Sequence, residues 1–344
     1  MSNLRDNYEA LLLDLDGTLY VGHDVIPSAR AALESVTQRC LYVTNNASRG
    51  PAEVAGALAR LGYAATEADV VTSAQAAARL LAGRLEAGAE VLVVGTDALV
   101  AEIELVGLRP VRRAESPAAV VQGHNPQTGW ADLAEAAFAI RKGAVWVATN
   151  RDSTLPMERG LAPGNGSMVA AVATATDQQP IVAGKPEAPL MRDALERSGF
   201  NGQGAAQALV VGDRLDTDVA GANTVGLDSL LVLTGVAGAQ DVLRAQPAQR
   251  PTYVAGSMAA LNTPPEHSNG WHAEFDGAAI VLEGEGDPIH ALAAVAPFAW
   301  AHPEFTGVTP RGAAAQTAIG RWETRDWADS ATAVSLSARP ADIG

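Results

Sequence analysis

Apolar residues along the chain come in short unbroken runs that stop at a Gly, an Asn or an Asp, and polar stretches of helical spacing separate them. Such a run, closed by a turn residue, reads as a strand buried in a parallel sheet. The first lies in LLLDLDGTLY, Leu11 to Tyr20. A helix is predicted over Ser28 to Thr37 behind Pro27, followed by a second strand, CLYVTNN, ending in Thr44, Asn45 and Asn46. Pro51 opens the next helix, which runs to the stop at Gly62. Thr72 and Ser73 cap another, reaching about Arg84.

A second strand–helix series starts at Glu90 with VLVVG and continues through a helix to Val106, AVVQG, a helix from Leu133 to Arg141, and VWVATN. It separates two parts of the first series and therefore reads as an inserted domain. Within it, LAPGNGSM (Leu161 to Met168) precedes a helix ending near Thr176. Gly164 and Gly166 there fit either an anion cradle at a helix start or a plain turn and cap. The first series resumes with IVAGKP, a helix from Pro189 to Arg197, the strand in ALVVGDRLDTD, and SLLVL. From Pro264 the character changes: Trp271, Trp300, Trp322 and Trp327 fall in this last quarter, beside two strand-like runs, WHAEF and AAIVL. The predicted organisation is a core of residues 1–80 and 181–263, an inserted α/β cap of 81–180, and a small α+β module of 264–344 with an unstructured end after Trp327.

With 48% hydrophobic residues in 344, the chain can fill several cores. Its 24 basic against 39 acidic side chains give a net charge of −15, which argues against nucleic acid or an anionic membrane as partner. An anionic substrate must then be held by local groups. The single cysteine, Cys40, allows no internal disulfide and fits a reducing cytosol. With no run of about 18 apolar residues and no charged leader before an apolar core, the expectation is a cytoplasmic protein.

The strand ends carry the chemistry. A period of two sends Asp14 and Asp16 to the same side at the C-terminal end of the first strand, where open α/β sheets bind ligands, and Gly17 lets the chain turn away. Asp213, Asp216 and Asp218 follow another strand, and Lys185 enters from the GKP turn. Clustered carboxylates raise one another's pKa unless a cation offsets them, and oxygen donors suit Mg²⁺. Each group also has a plainer reading: Thr44 and Asn45 as a turn, Lys185 as a surface lysine, Asp213 and Asp218 as helix caps. His124 reads as a structural loop residue, and Asp216 as a loop acid.

DLDGTLY, VTNN, the GKP lysine and VGDRLDTD, in this order, resemble the four motifs of the haloacid dehalogenase superfamily. TNN, GDRLDTD and a large α/β cap between the second and third motifs resemble its class IIA phosphatases, the NagD-like and 4-nitrophenyl phosphatase group. The resemblance covers about residues 8 to 262. It implies a doubly wound α/β core and a Mg²⁺-dependent phosphomonoesterase working through an aspartyl phosphate. Asp14 would be the nucleophile, and Asp16 the acid and base. Mg²⁺ would be held by Asp14, the Asp16 carbonyl and Asp213, with Asp218 in support. Thr44, Asn45, Asn46 and Lys185 would hold the phosphoryl group, and the loop of Asn150 to Pro156, with Asn150 and Asp152, would meet the rest of the substrate. A small polyol phosphate, glycerol 3-phosphate first, is the expected partner. Other readings are a broad phosphatase for phosphoglycolate, nucleotides or sugar phosphates, and a non-catalytic binding protein on the same fold. The tail faintly resembles a fragment of a GNAT-type acetyltransferase. The favoured account of it is packing against the core or mediating homo-oligomers.

Overall fold

The computed structural model describes residues 2–157, 159–199, 208–327 and 330–336. The chain divides into two compact units, one of residues 1–41, 61–63 and 200–344, the other of 42–60 and 64–199. Residues 42–60, 64–80 and 181–199, expected with the core, thus group with the inserted series.

In the first unit the strand Ala10–Leu13 is buried throughout and pairs in parallel with Ala208–Gly212, so that Leu13 lies opposite Val211. Parallel pairing continues from Ala208–Gly212 to Asp228–Val232 and from there to Tyr253–Ala255. These are the uninterrupted Leu and Val runs of the sequence, and burial on both faces is why none of them alternates. At the far edge Val334–Ser335 pairs antiparallel with Tyr253–Ala255, and Glu266–His267 pairs with Val334–Ser335 in turn. The expectation of an unstructured end after Trp327 is therefore corrected over residues 330–336, while the rest of that end lies outside the described residues. Val334 is fully buried and Leu336 nearly so, which anchors this strand.

The tail does not form a separate core. Its helices Pro288–Ala301 and Ala313–Thr324 and its three-stranded sheet (Trp271–Phe275, Ile280–Gly284, Val308–Arg311) pack into one cluster with Leu231, Leu233, Val242, Leu243 and Val254. Buried aromatic side chains dominate the apolar area of such a cluster, and each polar tip needs a partner. Trp300 Nε1 donates to the Val242 carbonyl at 2.8 Å and Trp322 Nε1 to that of Pro288 at 2.9 Å.

The second unit holds a five-stranded parallel sheet in the order Ile181–Val182, Val145–Ala148, Ala119–Gln122, Glu90–Val94, Arg109–Val111. Beside it, Tyr42 to Thr44 pair in parallel with Val70–Thr72. Thr72 caps the helix Ser73–Ala82 by accepting from the Gln75 amide, while the Gln75 side chain returns the bond. The first helix is shorter than its pattern predicts, ending at Leu33, because β-branched Val36 and Thr37 resist helix. No described helix is long and apolar enough to cross a membrane.

Candidate active site

Two clusters of functional side chains are built, one in each unit. In the first unit, parallel pairing brings the ends of Ala10–Leu13 and Ala208–Gly212 side by side, with the Asp14 amide donating to the Val211 carbonyl at 2.9 Å. Asp14 and Asp213 thus leave adjacent strands at the same end. A π-helical turn, Leu215–Val219, returns Asp218 to them, and one carboxylate oxygen from each of the three lies within 4.8 Å of the others. Turns of this wide type are frequent at functional sites. Asp213 is 0% and Asp218 1% exposed.

Such charges stay buried only with compensation. The Val236 amide donates to Asp213 Oδ2 at 2.6 Å, the Ala237 amide to the Asp213 carbonyl, and the Arg214 amide to Asp218 Oδ2. Space is kept by glycines: a Cβ at Gly17 or Gly235 would overlap the Asp213 carboxylate, and one at Gly212 would overlap Asp218. Gly17 also has φ +82°, where side chains strain the backbone. Thr234 Oγ1 donates to the Gly17 carbonyl at 2.7 Å. Asp16 stands at the mouth, bridged to Tyr20, and partial desolvation pushes its carboxyl above the usual range despite bonds from the Gly22 and Gly17 amides. Asp216 is instead paired with Arg214, which holds its carboxyl below the usual range although burial alone would raise it. Three convergent carboxylates without a sulfur or imidazole donor fit a hard divalent cation such as Mg²⁺.

The second cluster lies at the ends of the strands in the other unit. Lys185 is 4% exposed, and its Nζ donates to the Val43 carbonyl at 3.1 Å. Asn45 grips the Lys185 backbone from both sides, Oδ1 accepting from its amide at 2.8 Å and Nδ2 donating to its carbonyl at 3.1 Å. Gly184 leaves room for that grip, since a Cβ there would overlap Asn45 Oδ1. The Asn45 carbonyl accepts from Ser73 Oγ and from Asn150 Nδ2. Asp152 approaches Asn45 Nδ2 at 3.4 Å, and Thr44 Oγ1 accepts from the Asn46 amide at 3.1 Å. The unit therefore brings together Thr44, Asn45, Asn150, Asp152 and Lys185. Asn46 Oδ1 is turned to the Ser48 amide at 2.7 Å, where it caps a turn.

Gly164 and Gly166 settle between their two readings. Their amides donate to the Ser153 and Asp152 carbonyls, and a Cβ on either would overlap that loop's backbone, so they allow a close approach of two chain segments rather than cradling an anion. His124 contributes its carbonyl to Ser48 Oγ, a structural role. Sequence reasoning missed Asn165, which is 2% exposed and holds the Asn150 carbonyl at 2.8 Å. It also missed the loop of Thr234 to Ala237. An Asn just inside a helix after Pro-Gly, and a Thr-Gly closing SLLVL, were the available signals.

A fold with acids at adjacent strand ends, a lysine after a glycine turn and an inserted α/β unit defines a class, and the family models agree with it. Residues 11–109 match the haloacid dehalogenase-like hydrolase model, 182–261 match a second HAD-hydrolase-like model, and 268–323 match a GCN5-related N-acetyltransferase like domain. The chain belongs to the haloacid dehalogenase-like hydrolases. Among individual proteins it is 53% identical, over 293 residues, to the D-glycerol 3-phosphate phosphatase of Mycobacterium tuberculosis, spanning 83% of this chain and 82% of that one. The crystal structure of a glycerol phosphate phosphatase from the same organism, in complex with magnesium, superimposes with TM-score 0.89 at 49% identity over 94% of this chain and 99% of that one. A 4-nitrophenylphosphatase from Thermotoga maritima matches with TM-score 0.69 at 30% identity over 75% of this chain and 98% of its own.

Proposed function

We propose that this chain is a Mg²⁺-dependent phosphatase of small phosphate esters, with glycerol 3-phosphate as its preferred substrate. The carrying observation is the convergence of Asp14, Asp213 and Asp218 within 4.8 Å, beside Asp16 two residues on. The likeness to a D-glycerol 3-phosphate phosphatase at 53% identity supports the particular ester.

The Asp14 carboxylate attacks phosphorus, and the P–O bond to the leaving alcohol breaks as an aspartyl phosphate forms. Asp16 gives its proton to the departing oxygen. It then takes a proton from the water that attacks the aspartyl phosphate, which releases inorganic phosphate and restores Asp14. Mg²⁺, held by Asp14, the Asp16 carbonyl and Asp213, would offset the acid cluster and the charge of the phosphate. Asp218 fixes the surroundings of Asp213, as outer partners of metal ligands do. Lys185 and Thr44 are assigned to the phosphoryl oxygens, with Asn45 mooring Lys185. Asn150 and Asp152 are assigned to the alcohol portion. A dehalogenase is disfavoured, because a halide leaves without a proton and Asp16 would be idle. A purely binding role is disfavoured by the completeness of the acid cluster.

The test is a panel of glycerol 3-phosphate, phosphoglycolate, sugar phosphates, nucleotides and 4-nitrophenyl phosphate, ranked by kcat/KM with Mg²⁺ and repeated in excess chelator. Glycerol 3-phosphate should lead and chelator should abolish turnover. Another ester leading by tenfold would overturn the substrate assignment, and full activity in chelator would overturn the metal assignment.

A further inference from the structure

The loop of Thr234 to Gly238 touches the acid cluster on one side, through Thr234 on Gly17 and the Val236 and Ala237 amides on Asp213. Its other side is held by a residue of the tail. Arg325, the residue that ends the helix Ala313–Thr324, donates from Nη1 to the Gly235 carbonyl at 2.9 Å and from Nη2 to the Val236 carbonyl at 3.0 Å. One rigid fork thus bonds two successive carbonyls, a geometry that lysine cannot reproduce. Gly238 leaves the approach clear, since a Cβ there would lie 3.3 Å from Nη2.

A second observation is independent of those bonds. Arg325 has φ +55°, one of two described non-glycine residues in the left-handed region. That conformation strains a residue with a Cβ and persists where the surroundings over-determine it. Glycine or asparagine would end the helix with less strain. Arginine is there for its side chain. Among the tail's other contacts, the Trp300 bond to the Val242 carbonyl and the edge strand on Tyr253–Ala255 involve other residues than the Thr234 to Gly238 loop.

The geometry points to Arg325 as a positioning residue of the acid site, by which the C-terminal module sets the amide that orients the Asp213 carboxylate. The chain of contact is Arg325 Nη1, the Gly235–Val236 peptide, Asp213 Oδ2. Donation to the Gly235 carbonyl polarises the peptide whose other end is the Val236 amide, so the 2.6 Å bond from that amide stays aimed at Asp213, while donation to the Val236 carbonyl does the same for the Ala237 amide on the Asp213 carbonyl. The module is then part of the hydrolase site without contributing a reacting group. This inference rests on reading Asp213 as a Mg²⁺ ligand.

The test uses the full-length protein with Arg325→Asn, which tolerates the left-handed backbone but cannot span to the two carbonyls, Arg325→Lys, which can reach one, and Arg311→Ala as an exposed control elsewhere on the module. Metal-depleted protein is titrated with Mg²⁺ by calorimetry, and melting is followed with and without Mg²⁺, because a ligand that binds the folded state raises the melting temperature. Removing a direct partner of a metal ligand typically costs about 10- to 100-fold in affinity, and Arg325 acts one step further out. Arg325→Asn should therefore raise the Mg²⁺ Kd by about 3- to 10-fold and shrink the Mg²⁺-dependent melting shift, with KM for the ester at saturating Mg²⁺ unchanged. Arg325→Lys should fall between, and Arg311→Ala should match wild type. If wild-type protein binds no Mg²⁺, the ligand assignment and this inference fail together. If wild type binds and Arg325→Asn binds equally well while folded, the inference alone fails.

Discussion

The two clusters solve opposite electrostatic problems. In the first unit three carboxylates converge, backbone amides donate to two of them, and glycine-cleared turns make the room; the arrangement concentrates negative charge and suits a cation. In the second, a buried lysine is held through its backbone by Asn45, whose own carbonyl accepts from Ser73 and Asn150, so the cluster is knit by bonds among its own members. The two should therefore be sensitive in different ways. Changes in the acid cluster should alter chemistry with little loss of fold, whereas changes in the lysine cluster should cost stability and chemistry together.

Asp14→Asn should have the largest effect. It replaces the carboxylate proposed as nucleophile by an amide of nearly the same shape, so the melting temperature should hold while turnover falls by about 10⁴-fold or more. Steady-state rates and a thermal melt check it. Near-normal turnover, with mass spectrometry excluding deamidation of the introduced asparagine back to aspartate, would overturn the covalent route. Asp16→Asn should follow, losing about 10²- to 10⁴-fold on glycerol 3-phosphate, whose alkoxide leaves poorly without a proton. With 4-nitrophenyl phosphate the first step needs little help, but water activation still does. A burst of nitrophenol before slow turnover should therefore appear in stopped flow, and its absence would separate Asp16 from the second step.

Asn45→Ala probes the other cluster. It removes both clamps on the Lys185 backbone and leaves a buried amide and carbonyl without those partners, at about 1–3 kcal/mol each. Denaturant unfolding should show a loss in that range alongside reduced kcat. Loss of activity at unchanged stability would mean that Asn45 contacts substrate directly instead of mooring Lys185.

How far these clusters were legible follows from how local their determinants are. Asp14 and Asp213 could be read because each closes an apolar run, and an acid after a buried strand has few reasons to be there. Thr72 is legible in the same way, as a cap before a helix, whereas the answering bond to Gln75 appears only in the structure. Asn45 holding Lys185 spans 140 residues, and Arg325 on Val236 spans 89, and no periodicity announces either. The edge strand Val334–Ser335 is two residues long, too short for a pattern, and forms because buried Val334 and Leu336 fix it on Tyr253–Ala255. Likewise the tail's merger with the core depends on which faces meet, and its sequence shows only that it has apolar faces to bury.

The smallest expected effect sharpens the comparison within the second unit. Asn165, at the start of the helix Asn165–Thr176, donates from Nδ2 to the Asn150 carbonyl at 2.8 Å and to the Gln122 carbonyl at 3.3 Å. It thus ties down the first residue of the loop assigned to the alcohol portion, while Asn150 in turn donates to the Asn45 carbonyl. Asn165→Ala removes a donor to two buried carbonyls, which should cost about 1–3 kcal/mol in unfolding experiments. If the loop acts on the alcohol, the loss in catalysis should depend on the ester. For glycerol 3-phosphate kcat/KM should fall by about tenfold, equivalent to about 1.4 kcal/mol of transition-state binding, because its small polar alcohol relies on placed hydrogen bonds. For 4-nitrophenyl phosphate, whose binding draws on few such bonds, the change should stay within about twofold. An equal loss on both esters would show that Asn165 reaches the lysine cluster through Asn150 and Asn45, and that the loop does not choose the substrate.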